Sequence, residues 1–246
     1  MPAALIFDVD GTLAETEDAH RLAFNAAFAE AGLEWTWDAG LYRRLLDVTG
    51  GKERIRFYLD QAGLPPLQAT AVARLHARKT ELYVAHVDAG RLALRPGIAR
   101  LINEARAGGI PVAIATTTSL ANVESLLRST LGEDAPGWFA AIGAGDMVAR
   151  KKPAPDVYEW VLQRLGLPAA RCIAFEDSRN GLEAARAAGL PTVITVSRYT
   201  DDQGFPGAVA VLDHLGEPDA PCLVIDGATP RAGHVDLATL AAWLDR

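Results

Sequence analysis

Two aspartates stand one residue apart at the end of the first apolar run, in the stretch ALIFDVDGTL at 4–13. In extended backbone, residues i and i+2 face the same side about 7 Å apart. Asp8 and Asp10 could therefore serve as nucleophile and as general acid or base without obstructing each other. Gly11 permits a tight turn that aims backbone N–H groups at an anion. Alone, such a pair reads more readily as a solvated strand end. More polar residues of complementary chemistry follow other apolar runs: Thr116, Thr117 and Thr118 after PVAIA, Lys152 before Pro153, and Glu176 with Asp177 after RCIAF. Several carboxylates gathered at one edge repel unless a cation sits among them, and oxygen donors of this kind suit Mg²⁺ with a substrate phosphate. Lys152 offers a counter-charge to the phosphate and the nucleophile. Thr116 offers a hydroxyl beside N–H groups that open onto an anion.

These residues can act together only if one framework brings the ends of separate segments to one place. From Pro96 onward, apolar runs alternate with helical patterns: GIARLINEARAGG and the stretches near 119–130, 155–165, 178–188 and 235–245 read as helices, while PVAIATTT, AAIGAGD, RCIAFED, PTVITVS, AVAVL and CLVID read as strands. Strands alternating with helices imply a parallel sheet covered on both faces, and ligands bind at the carboxyl ends of such strands. The first strand, expected at 4–9, joins that sheet by composition. Between Asp18 and Asp88 only helical periodicity occurs: Phe24, Ala27, Phe28 and Ala31; Leu41, Leu45 and Val48; Ile55, Tyr58, Leu59 and Ala62; then Ala71, Leu75, Arg78, Leu82 and Ala85. The expected fold is an α/β, doubly wound, Rossmann-like core (1–15 and 90–246) carrying an inserted all-helical cap (16–89).

The bulk numbers exclude several classes. A net charge of −7 argues against a nucleic-acid binder, which would present a basic face. No apolar stretch approaches the ~20 residues that cross a bilayer, and the first strand begins too early for a signal peptide. Cys172 and Cys222 lie in short apolar runs with no C-x-x-C or Cys/His cluster, so a zinc site is not expected. The chain reads as a cytoplasmic monomer with reduced, buried thiols, binding neither nucleic acid nor membrane. Trp138, Trp160 and Trp243 are expected in the core.

DVDGT at 8–12, Thr116 after VAIA, Lys152 in KKP and Glu176-Asp177 in FEDSRNG resemble, in order, the four motifs of the haloacid dehalogenase-like hydrolases. The resemblance spans nearly the whole chain. It implies that Asp8 attacks phosphorus and becomes an aspartyl-phosphate, while Asp10 protonates the leaving oxygen and later activates water. It implies that Gly11, Thr116, Thr117, Thr118 and Lys152 hold the transferring phosphoryl group. Mg²⁺ would be bound by Asp8, the main-chain carbonyl of Asp10 and Asp177, with Glu176 close by. True dehalogenases of the family lack the second aspartate, so Asp10 points to phosphoryl transfer.

Selectivity is expected from the cap. In TGGKERI at 49–55, Gly50 and Gly51 let the backbone approach a ligand, and Lys52 and Arg54 could clamp a second anionic group, with Glu53 between them. A helix-breaking turn with solvated charges is the plainer alternative. GGKER resembles the CbbY-type branch, whose activity is removal of a phosphate from xylulose 1,5-bisphosphate, an inhibitor of Rubisco; that implies a phosphosugar substrate. Glu17 either bonds sugar hydroxyls or is a helix-start acid. His20, His76 and Lys79 are further candidates for the cleft wall. A β-phosphoglucomutase-like phosphomutase is the alternative enzyme, and a catalytically silent sugar-phosphate-binding domain the alternative of another class. What the tail after about Ala220 adds is not legible.

Overall fold

The computed structural model describes residues 1–245; Arg246, the last residue of the expected core segment, lies outside the described residues. Seven strands form one sheet in the order β3-β2-β1-β4-β5-β6-β7. They are β1 (Ala4–Phe7), β2 (Val112–Ala115), β3 (Phe139–Gly143), β4 (Cys172–Glu176), β5 (Thr192–Thr195), β6 (Ala210–Leu212) and β7 (Val224–Gly227). All neighbours run parallel except β7, which pairs antiparallel with β6. The expectation of a parallel sheet covered on both faces therefore fails at β7. It is an edge strand with Ile225 about half exposed, and one covered side suffices for an antiparallel edge.

β1 is buried along its whole length, and its side chains divide between two apolar layers. Leu5 and Phe7 point to one layer with α5 (Ile98–Ala107), α6 (Leu120–Leu131) and α9 (Leu237–Leu244). Ala4 and Ile6 point to the other, with α7 (Asp156–Leu165) and α8 (Arg179–Ala187). Burial on both faces is why the strand reads as an unbroken apolar run. Phe7 pairs in register with Phe175 of β4, and the two rings stack at 4.6 Å. Truncating either to alanine would cost about 3–5 kcal/mol. The same register sets Asp8 beside Glu176, one residue past the rings. β1 ends at Phe7 rather than at 9, so Asp8 and Asp10 lie in the turn after the strand.

The segment between β1 and α5 is all helical: α1 (Glu17–Glu30), α2 (Ala39–Leu45), α3 (Gly51–Gln61) and α4 (Ala69–Asp88). Its core is aromatic, with Phe24, Phe28, Trp37 and Tyr42 packed together; Trp37 is fully buried, a role that its sequence neighbours did not announce. Trp243 is buried as expected in the layer of Leu5 and Phe7, which Trp138 joins half-buried, and Trp160 packs half-buried against the opposite layer. Two sequence readings shift here. GKER forms the first turn of α3 rather than a turn before it. The buried face of α4 is Val72, Leu75, Lys79, Tyr83 and Val87, a stripe rotated from the expected one, with Arg78 out in solvent paired to Glu30 and Glu81. The entry and exit of this block meet: Ala14 bridges Leu94, and the Arg95 N–H donates to the Leu13 carbonyl at 2.8 Å. Cys172 is buried and Cys222 half-buried; both are free thiols. Among the described residues no helix is long and apolar enough to cross a membrane.

Candidate active site

β1 lies where the strand order reverses, with β2 on one side and β4 on the other, and the loops after these strands leave a crevice. The helical block roofs it, leaving a cleft that opens to solvent. From the sheet side Asp8, Asp10, Thr116, Thr117, Thr118, Lys152 and Asp177 line it; from the helical side Glu17, His20, Gly50, Gly51, Arg54, His76 and Lys79 do.

At the floor, the Lys152 ammonium is 4% exposed and donates to Asp8 Oδ1 at 2.6 Å, Glu176 Oε1 at 2.5 Å and the Ala115 carbonyl at 2.8 Å. Burial disfavours its charge, but the two carboxylates outweigh burial and hold the ammonium protonated. The Tyr158 hydroxyl also donates to Glu176 Oε1, at 2.5 Å. Ligand atoms of Asp8, Glu176 and Asp177 fall within 4.8 Å of one another. Burial, eased by Lys152 and aggravated by Glu176 and Asp10, drives the Asp8 carboxyl up to about 8. Burial and the charges of Asp8 and Glu176 push Asp177 well above the usual carboxylate range. Glu176 Oε2 is buried without a hydrogen-bond partner among the described residues. Such a set is short of positive charge, and its donors are the hard oxygens that a divalent cation of the Mg²⁺ type takes. The residues present therefore fit that ion. The Asp10 carboxylate is not part of this cluster and turns toward the helices.

Gly11 shows why the turn after Asp10 has its sequence. Its φ is +79°, and a Cβ there would lie 2.1 Å from Asp177 Oδ2, so any side chain would displace a carboxylate of the cluster. Past β2, the Thr116 N–H is committed to the Gly143 carbonyl, and the Thr118 N–H donates to Thr116 Oγ1 at 3.2 Å. Among the described residues the Thr117 N–H has no partner in the chain, which leaves that donor and the Thr116 hydroxyl proton for an anion.

Asp10 Oδ1 accepts from the Thr16 hydroxyl at 2.6 Å and from His20 Nε2 at 2.9 Å. Lys79 Nζ lies 2.6 Å from His20 Nδ1, and the imidazole stacks on Tyr83. Burial, with Lys79 beside it, lowers His20 to about 4, so the ring is neutral at pH 7, accepting from Lys79 and donating to Asp10. Burial works to raise Asp10, but the His20 and Thr16 donors overcome it and hold its carboxyl below the usual range. Burial brings Lys79 down to about 7. The three groups form a hydrogen-bonded chain from Lys79 through His20 to Asp10, along which a proton could be relayed.

On the far wall, Arg54 Nη1 donates to the Tyr42 hydroxyl at 3.0 Å, and that hydroxyl donates to Glu17 Oε2 at 3.0 Å. Burial raises Glu17 to about 7. Lys52 is not brought to this wall. Residues i and i+2 on a helix point about 200° apart, and Lys52 pairs outside the cleft with Asp146, which Lys151 also holds. Glu53 and Lys52 line an adjoining hollow instead. Gly51 lines the cleft and also leaves room for a side chain: a Cβ there would lie 2.5 Å from the His76 ring. Sequence reasoning missed Leu46, Thr49, Ser178, Asn180, Tyr199, Thr200 and Gln203, all on the cleft wall. Ser178 and Asn180 sit inside FEDSRNG, and Tyr199–Gln203 follow β5, so the strand-end rule applied to PTVITVS would have found the latter.

The family model of the haloacid dehalogenase-like hydrolases matches residues 2–189. The plasmid-encoded protein CbbY of Cupriavidus necator is 55% identical over 246 residues, covering 98% of this chain and 96% of that protein. The crystal structure of CbbY from Rhodobacter sphaeroides in complex with phosphate superimposes with a TM-score of 0.84 at 51% identity, covering 87% of this chain and 95% of that one. A mutant of the same protein, solved with xylulose 1,5-bisphosphate, matches with a TM-score of 0.84 at 50% identity and the same coverage.

Proposed function

The chain belongs to the haloacid dehalogenase-like hydrolases, and on that premise we propose that it removes one phosphate from xylulose 1,5-bisphosphate, leaving xylulose 5-phosphate. It is an enzyme, a phosphatase acting on sugar phosphates. One observation carries the finer reading: a single cleft holds cationic side chains on both walls, Lys152 at the aspartates and Arg54, with Lys79, on the helical side. That arrangement suits a substrate with two phosphates. The Rhodobacter sphaeroides complex with xylulose 1,5-bisphosphate supports the choice of sugar.

Asp8 attacks phosphorus, the bond to the sugar oxygen breaks, and an aspartyl-phosphate forms on Asp8. Asp10 gives its proton to the departing oxygen, and the relay supplies that proton: Lys79 to His20 Nδ1, His20 Nε2 to Asp10. In the second half, Asp10 takes a proton from the water that attacks the acyl phosphate, and inorganic phosphate leaves. The Thr116 hydroxyl and the Thr117 N–H hold the phosphoryl oxygens, and Lys152, bonded to Asp8, Glu176 and the Ala115 carbonyl, supplies positive charge beside them. Asp8, Asp177 and the Asp10 carbonyl would hold Mg²⁺, with Glu176 beside them, and the ion would neutralise charge on the nucleophile and the phosphoryl group. Residues 16–89 serve as the selectivity cap, with Arg54 on the distal phosphate and Glu17 on sugar hydroxyls.

The test is phosphate release from xylulose 1,5-bisphosphate with and without Mg²⁺, with the sugar product identified. The expected result is one phosphate per substrate, xylulose 5-phosphate as product, and no turnover in a chelator. An isomeric sugar bisphosphate or monophosphate accumulating without phosphate release would establish a mutase instead.

A further inference from the structure

Arg95 takes no part in the chemistry just described, yet among the described residues its guanidinium is bonded to more backbone carbonyls than that of any other arginine. It stands between Leu94, which bridges Ala14, and α5. Its side chain is 9% exposed. Nη1 donates to the Gly11 carbonyl and to the Thr195 carbonyl at 3.0 Å. Nη2 donates to the Val196 carbonyl at 2.6 Å and the Asp213 carbonyl at 2.5 Å. Nε faces Glu15 Oε1 at 3.6 Å. One guanidinium thus joins the turn after the two aspartates, the end of β5 and the end of β6. A planar fork with five N–H groups can serve several carbonyls at fixed angles, whereas an ammonium is a point charge with three donors.

Two of those carbonyls lie next to the carboxylate cluster. Gly11 follows Asp10 and packs against Asp177, whose Oδ2 would be 2.1 Å from a Cβ at position 11. Val196 precedes Ser197, whose own Cβ would lie 3.1 Å from that same Cβ, so Ser197 and Asp177 both pack on Gly11. A shift of either backbone segment is therefore passed directly to the groups that surround the ion.

We propose that Arg95 is a positioning residue, whose buried guanidinium pins the Gly11 turn to the ends of β5 and β6 and so sets the Asp10–Gly11 main chain and Asp177 for metal binding and phosphoryl transfer. The proposal rests on the reading that these groups hold the ion. It acts through the ligands and touches neither ion nor substrate.

Arg95→Met and Arg95→Lys in the full chain test it. Folding is checked by circular dichroism and melting, Mn²⁺ binding by paramagnetic resonance of the metal alone, and kcat and KM by phosphate release. Loss of a group that orients metal ligands typically costs about 10–100-fold in affinity or activity, and that loss is expected in both Mn²⁺ affinity and kcat of Arg95→Met. KM should stay near the natural value, and Arg95→Lys should show a smaller loss in the same direction. A folded Arg95→Met with natural Mn²⁺ affinity and kcat overturns the proposal, even if its melting temperature falls. Should Arg95→Met not fold, Arg95→Lys is judged on the same readouts, and natural values overturn it. If the natural chain binds no Mn²⁺, the ion reading fails by itself, and an unchanged kcat in the variants then removes Arg95 as well.

Discussion

Replacing Arg54 with alanine should separate bisphosphates from monophosphates. Its guanidinium has five N–H groups, and three are committed: Nε to the Leu45 carbonyl, Nη1 to the Tyr42 hydroxyl and Nη2 to the Val48 carbonyl. Two N–H groups remain for a ligand. A hydrogen bond involving a charged group contributes about 1.5–3 kcal/mol net. Two such bonds at the low end give about 3 kcal/mol, or roughly a hundredfold in kcat/KM. The loss should fall on xylulose 1,5-bisphosphate and spare a monophosphate of the same sugar skeleton. Lys52→Ala supplies the contrast. Its partner is Asp146 on an exposed rim, with side chains 28% and 63% exposed, and pairs of that kind contribute only about 0–1 kcal/mol. It should lower both substrates alike and by less than about fivefold. The assay is phosphate release over a range of each substrate. An equal loss on bisphosphate and monophosphate in Arg54→Ala would refute the assignment, as would a Lys52→Ala variant with the larger discrimination.

Asp8→Asn keeps the shape of the nucleophile but not its charge, so the variant should fold, as read by circular dichroism, and release no phosphate above background. Measurable turnover would remove Asp8 from its assigned role. Glu17→Gln should reveal a pH-dependent cost. The folded carboxyl, driven to about 7 by burial, binds its proton more tightly than in the unfolded chain near 4.5. The folded state is thus favoured at low pH and loses that advantage as pH rises from 4.5 through 7. The melting temperature of Glu17→Gln relative to the natural chain, without added metal, should climb across that window and level off above it. A difference that ignores pH would contradict the buried, protonated Glu17.

The sheet and the sheet-borne site were legible because each strand's apolar run ends in polar residues, and a doubly wound topology brings such ends together. Asp8 and the Glu176-Asp177 pair lie far apart in sequence, but each declares itself by standing next to a buried run, whereas Lys152 is marked only by the proline that follows it. The helical wall offered less. On α4, Arg78 looked like part of the buried stripe, whereas Lys79 is the residue turned inward, because the cleft and not only the core takes that face. Lys52 and Arg54 look equivalent as neighbouring cations, and only the start of α3 at Gly51 decides which one enters the cleft. Arg95 and Trp37 left no trace at all. Their partners are backbone carbonyls and rings whose approach depends on the assembled fold, such as Thr195, 100 residues from Arg95.

The bridge between Ala14 and Leu94 has a consequence for how this architecture can change. The whole block from Glu17 to Asp88 enters and leaves through two backbone positions that are already neighbours. Paired residues in an antiparallel bridge stand about 5 Å apart, a gap that a hairpin turn of a few residues closes. To the sheet, the block is one long loop with a fixed mouth. A shorter, longer or wholly different insertion could meet the same two ends, although it would lose contacts such as the Thr49 hydroxyl on the Lys152 carbonyl. Exchanging the block would also remove His20 and Lys79, so the hydrogen-bonded chain that ends on Asp10 would change together with the wall of the cleft.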